Sequence, residues 1–176
     1  MLFLQTIRIW IIVLIVLSQQ GLAASIIDSD NKNFPTGCHA VGYHFELKTL
    51  YFMPEHSGAR QSLYLVFNRL TEPVALFQMR ADGGTRNLYL NHAIAQKSWA
   101  VFATSELSLK FTCTVADGSS AYGRVVECAH ALRVCEYEHV KFGLNNRGNF
   151  WLANSYTRNE AVNAIVHYGI IPDIHS

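Results

Sequence analysis

From position 37 onward the chain alternates short apolar runs with short polar stretches. The apolar runs cover residues 41–47, 50–53, 63–67, 74–79, 88–90 and 99–103. All are shorter than about ten residues, the length that would favour helix over strand. Between them lie turn formers, at 54–58, at 68–73 and at Asp82-Gly83-Gly84. The plainest strand is 107–115, where Leu107, Leu109, Phe111, Cys113 and Val115 alternate with Ser108, Lys110, Thr112 and Thr114. A side-chain period of two puts the first set in a core, Cys113 included, and the second in solvent. Asp117-Gly118-Ser119-Ser120 predicts a turn, and 124–128 a strand returning beside the first. The pattern predicts a mainly β domain, an antiparallel β-sandwich of immunoglobulin-like architecture.

The C-terminal segment changes period. Thr157-Arg158-Asn159-Glu160 has the spacing of a capping box, in which the threonine oxygen and the glutamate carboxylate each accept from the other's backbone amide. Ala161, Val162, Ile165, Val166 and Tyr168 then share one broad helical face. Gly169 is placed to end the helix, Ile170 to seal that end and Pro172 to stop it continuing. One C-terminal α-helix over about 157–169 is therefore predicted.

Residues 1–23 follow a different grammar. Arg8 precedes the apolar run 9–17, which gives way to Ser18, Gln19 and Gln20 and then to Gly21-Leu22-Ala23. The run is shorter than the roughly 20 apolar residues of a membrane span, so it predicts a cleavable signal peptide rather than an anchor. Residues 24–36, with Asp28, Asp30, Lys32 and Pro35, read as a flexible lead, and 37–176 as a single domain. Removing Arg8 takes the formal charge from +1 to zero. A neutral domain lacks the electrostatic footprint of a nucleic-acid binder, and no stable membrane span is expected after cleavage.

All four cysteines, Cys38, Cys113, Cys128 and Cys135, follow the leader. An even number in an exported chain reads as two disulfides. A regular hairpin after 107–115 would bring Cys128 back to Cys113 and leave Cys38 for Cys135. A one-residue bulge would overturn that, and the other two pairings stay open.

The eight histidines are dispersed. His39 and His44 are five apart, which in a strand sets them on opposite faces, and Cys128, His130 and Cys135 match no zinc spacing. Cys38 beside His39 and His44 is the one nucleophile arrangement to weigh, and it competes with the disulfide reading. No G-x-S-x-G or S-x-x-K occurs, no carboxylates form a conspicuous pair, and Gly83-Gly84 lacks the spacing of a phosphate loop. No catalytic, cofactor-binding or metal residue is assigned, and the chain is expected not to be an enzyme. Of the aromatics Trp99, Tyr137, Phe150, Trp151 and Tyr156, most are expected in the core. The loop Asn145-Asn146-Arg147-Gly148-Asn149 leads into Phe150-Trp151-Leu152, and Asn146, Arg147, Trp151 and Tyr156 form the candidate interaction surface.

The order of several motifs resembles a known family. They are Gly37-Cys38-His39-Ala40-Val41-Gly42-Tyr43, Leu63-Tyr64-Leu65-Val66-Phe67-Asn68, Leu90-Asn91-His92 with Trp99 after it, then Cys113, Cys128, Val134-Cys135 and Asn149-Phe150-Trp151-Leu152-Ala153-Asn154-Ser155. Over nearly the whole exported part the chain is similar to the enhanced-entry protein B family of Legionella and related intracellular bacteria. The resemblance implies a periplasmic protein associated with host-cell entry and virulence, encoded beside a Sel1-repeat partner, and it brings no catalytic residues. The expectation is thus a non-enzymatic periplasmic or secreted protein that binds a protein of the bacterial envelope. Two alternatives stand beside it. A small-ligand module would show an apolar pocket, and an envelope peptidoglycan hydrolase would show a base facing a nucleophile or two facing carboxylates.

Overall fold

The computed structural model describes residues 33–40, 45–46, 48–52, 62–80, 90–104, 106, 108–118, 121–137, 140–142, 150–167 and 170–172. The predicted signal peptide lies outside them, as do Asn146, Arg147, His44, Gly83, Gly84, Tyr168 and Gly169. The compact unit containing the strands begins at Phe34.

Thirteen strands and two helices are described, in the order β1 Cys38–Ala40, β2 Phe45–Glu46, β3 Thr49–Phe52, β4 Ser62–Asn68, β5 Val74–Gln78, β6 His92–Ile94, β7 Trp99–Thr104, β8 Leu109–Val115, β9 Arg124–Val126, α1 Cys128–Ala131, β10 Leu132–Tyr137, β11 Val140–Phe142, β12 Phe150–Ser155, α2 Arg158–His167 and β13 Ile170–Pro172. One sheet runs β1-β10-β4-β7-β12, the other β2-β3-β8-β5-β6 with β9 also on β8, and β11 pairs with β13. All pairings are antiparallel. The domain is mainly β, a sandwich with a C-terminal helix, as the sequence pattern predicts.

The two sheets differ in how many faces they bury. Between them lies one core, with Leu50 and Phe52 from β3, Tyr64 and Val66 from β4, Leu76 from β5, Phe102 from β7 and Phe111 from β8. Burying each such side chain contributes roughly 1.5–3 kcal/mol relative to exposure. A second core covers the other face of the first sheet, where Leu63, Leu65, Trp99, Val101 and Tyr137 meet Ala161 and Ile165 of α2. The first sheet is therefore a middle layer, and every residue of β4 and β7 is buried. That is why 63–67 and 99–103 read as unbroken apolar runs rather than alternating ones. β8, in the second sheet, alternates as predicted from Leu109 to Cys113, but Thr114, expected in solvent, is buried between Cys113 and Val115.

The disulfides are Cys38–Cys135 and Cys113–Cys128. The first ties the edge strand β1 to β10, and the second ties β8 to α1, the link by which the chain crosses from one sheet to the other. All four cysteines are paired, which indicates an oxidising, non-cytoplasmic setting.

Several expectations are corrected in detail. The strand predicted over 124–128 ends at Val126, and Cys128 opens the short helix α1. The pairing survives because Cys113 sits opposite Val126, close to that helix. Phe34, assigned to the flexible lead, packs edge-on against Trp99 with a centroid separation of 6.3 Å. The Arg133 guanidinium covers its ring at 4.4 Å. In α2 the capping box forms as predicted, with the Glu160 amide donating to Thr157 Oγ1 at 3.3 Å and the Thr157 amide to Glu160 Oε2 at 3.4 Å. The buried stripe is narrower than expected, since Ala161 and Ile165 are buried whereas Val166 is 58% exposed. Ile170 and Pro172 belong to β13 rather than to a helix seal.

Candidate interaction face and the seam between the sheets

Of the predicted interaction residues, Trp151 and Tyr156 are among the described ones, and Asn146 and Arg147 lie outside them. Tyr156, just before α2, stands 71% exposed. Trp151 is instead half-buried on β12 and packs against the inter-sheet core, with ring centroids 4.6 Å from Phe102, 6.2 Å from Phe111 and 6.4 Å from Phe52. Trp99 and Tyr137 are core residues. Burial holds the Tyr137 phenol up at about 12, against a smaller pull downward from Arg158. Cys38 is in a disulfide, which removes it as a nucleophile. Cys128 and Cys135 belong to different disulfides, so neither offers a thiolate to a metal beside His130.

β12 closes one side of the sandwich. It is the outer strand of the first sheet, as β6 is of the second, and no ladder joins them. Side chains do so instead. Trp151 Nε1 donates to the Leu90 carbonyl at 2.9 Å, and Asn154 Nδ2 to the Ala93 carbonyl at 3.1 Å. The His92 ring stacks on the Trp151 indole at 4.3 Å and 7° between planes, and its Nε2 lies 3.0 Å from Asn154 Oδ1. The carbonyls of Leu90 and Ala93, which an unprotected edge would offer to a foreign strand, are thus occupied. Burial pulls the His92 pKa below its ordinary value, against a smaller upward effect of the Asn154 hydrogen bond.

The inner face of the first sheet also carries polar groups at one end. Glu136 lies opposite Tyr64 and Ser62 opposite Thr104. All four are shielded from solvent.

The solvent side of the second sheet has the character of a contact surface. Val125, Ala75 and Ala93 lie in one row across it, in which Thr114 is buried, and Thr49, Thr112 and Phe77 lie in the next. Tyr122 meets Phe77 edge-on at 5.8 Å. Tyr122 and Val125 remain 64% and 46% exposed. Among the described side chains of β3, β5, β6 and β8, Lys110 is the one charged group on this side. Its ammonium lies over the Tyr51 ring at 4.8 Å. A surface poor in charge among its described side chains suits contact with a protein better than with a charged ligand. Its residues come from five strands, so the surface is not visible as a run in the sequence; of the two threonines expected in solvent, Thr112 lies on it and Thr114 is buried. Among the described residues, no group of three or more His, Cys, Asp or Glu is arranged to hold a metal. No protein-family model, curated protein or solved structure matches this chain.

Proposed function

We propose that this chain is an exported, non-enzymatic binding domain of a bacterial envelope, periplasmic or secreted, that works by protein contact through the solvent side of its second sheet. The observation that carries the reading is the charge-poor surface around Val125, Ala75 and Phe77, crowned by the exposed Tyr122. Two disulfides support the exported setting, and the predicted signal peptide supplies the route. The resemblance to the enhanced-entry protein B family adds host-cell entry as the biological context and a Sel1-repeat protein as the partner.

Site-specific photocrosslinking in the producing cell tests this. A photoreactive residue at Tyr122 or Val125 is expected to capture one discrete envelope protein, and one at Asn163 on α2 to capture none. A Sel1-repeat protein in the captured band supports the family reading. Absence of a product from both sheet positions, or equal capture from Asn163, contradicts the assignment of this face. Fusing residues 1–30 to a reporter that is active only outside the cytoplasm tests export, with activity expected.

A further inference from the structure

We propose that the His92–Trp151–Asn154 seam is a proton-sensitive latch, which holds β6 to β12 while His92 is neutral and lets β6 loosen as the medium acidifies. The geometry sets the protonation state of the ring. Asn154 gives its Nδ2 hydrogen to the Ala93 carbonyl, so the oxygen is the atom that faces His92. An amide oxygen only accepts, hence the neutral imidazole carries its hydrogen on Nε2 and leaves Nδ1 bare. The indole of Trp151, whose own N–H is spent on the Leu90 carbonyl, covers one face of the ring.

Protonation would add a charge and a second N–H at Nδ1, with no counter-charge on the strands that surround the ring. β5, β6 and β12, the strands around the ring, contain no Asp, Glu, Lys or Arg, and His92 is their one titratable residue. The stacked indole offers an imidazolium some cation–π attraction. Removal of the ring from water outweighs it, and the net preference is for the neutral form. The sign follows. The unfolded or opened segment binds a proton at the ordinary histidine value of 6.5, while the latched form binds it only at lower pH. Latch stability is therefore complete above pH 6.5 and falls as the pH drops from there toward the lowered value. Opening uncovers the Leu90 and Ala93 carbonyls, turning a blocked edge into one able to accept an added strand.

Native-state amide hydrogen exchange at pH 7.5 and 5.0, corrected for the intrinsic pH dependence of exchange, reads the latch directly. Protection of the β6 amides is expected to fall about threefold or more at the lower pH while β4 and β7 hold theirs, a local opening rather than global loss. His92→Phe keeps a flat ring on Trp151 without a titrating group and should abolish the pH effect. Asn154→Asp places a carboxylate against Nε2 and should reverse it, with β6 better protected at pH 5.0 than at 7.5. Unchanged β6 protection in the unsubstituted protein, or an equal fall in His92→Phe, overturns the proposal. Should His92→Phe fail to fold, an NMR titration placing the His92 pKa at or above 6.5 in the unsubstituted protein overturns it equally.

Discussion

Asn68 closes β4 with a fully buried side chain that holds a turn together. Its Nδ2 donates to the carbonyls of Glu72, Ile94 and Ala95 at 2.8, 3.1 and 3.0 Å, and its Oδ1 accepts from the Leu70 amide at 2.9 Å. Replacement by Leu leaves these backbone groups without partners, and each buried orphan costs about 1–3 kcal/mol. Asn68→Leu is therefore expected to lower stability to urea by roughly 3 kcal/mol or more. Asn68→Asp should be no milder, since it sets a carboxylate against three carbonyls. A loss below about 1 kcal/mol in either variant would contradict this role for the amide. Gly123 makes the same kind of argument from backbone shape. Its φ is +72°, and a β-carbon there would lie 2.3 Å from the Val115 carbonyl oxygen. Gly123→Ala should cost about 1–3 kcal/mol, read by thermal or urea denaturation. The stretch 68–73 was legible as a turn from its polar composition. That its first residue is buried was not, because the acceptors at Ile94 and Ala95 are distant in sequence.

At the level of elements, legibility followed the number of buried faces and the presence of local signals. β8 was readable because its first five residues alternate between a buried and a wetter face, and α2 because its cap is encoded within four residues. The capping box predicts that Thr157→Ala lowers stability by about 1 kcal/mol in thermal denaturation. Val166→Lys, on the exposed side of the helix, should stay within about 0.5 kcal/mol of the parent. β10 and β12 escaped notice for opposite reasons. β10 reads Leu-Arg-Val-Cys-Glu-Tyr, and its charged residues break the apolar run although it lies in the middle of a sheet. β12 follows a polar loop and shifts register between Trp151 and Ala153, which blurs its alternation. The same strand carries the seam, so the chemistry around His92 was invisible until β6 and β12 were placed side by side.

Across the whole molecule the disulfides act on chain segments of very different length. Cys38–Cys135 spans a sequence separation of 97 and Cys113–Cys128 one of 15. Loop-closure entropy assigns about 4.7 kcal/mol to a loop near the first length and about 3 to the second. Replacing the Cys38/Cys135 pair by Ala should therefore lower the denaturation midpoint more than replacing Cys113/Cys128, and the reverse order would argue against chain entropy as the dominant contribution. The sandwich class was legible because strand length, turn chemistry and alternation agreed. The layer order was not, since a sheet buried on both faces gives no sign of which neighbour covers which side. The contact face was hidden for a related reason, being assembled from residues on strands far apart in the chain.

The state of the cysteines in the mature protein is the most direct test of an exported, disulfide-stapled domain. Non-reducing peptide mass mapping of material recovered from outside the cytoplasm should find Cys38 joined to Cys135, Cys113 joined to Cys128, no labelled thiol and an N-terminus near Ala24. A different pairing, a reproducibly free cysteine or a retained leader would contradict it.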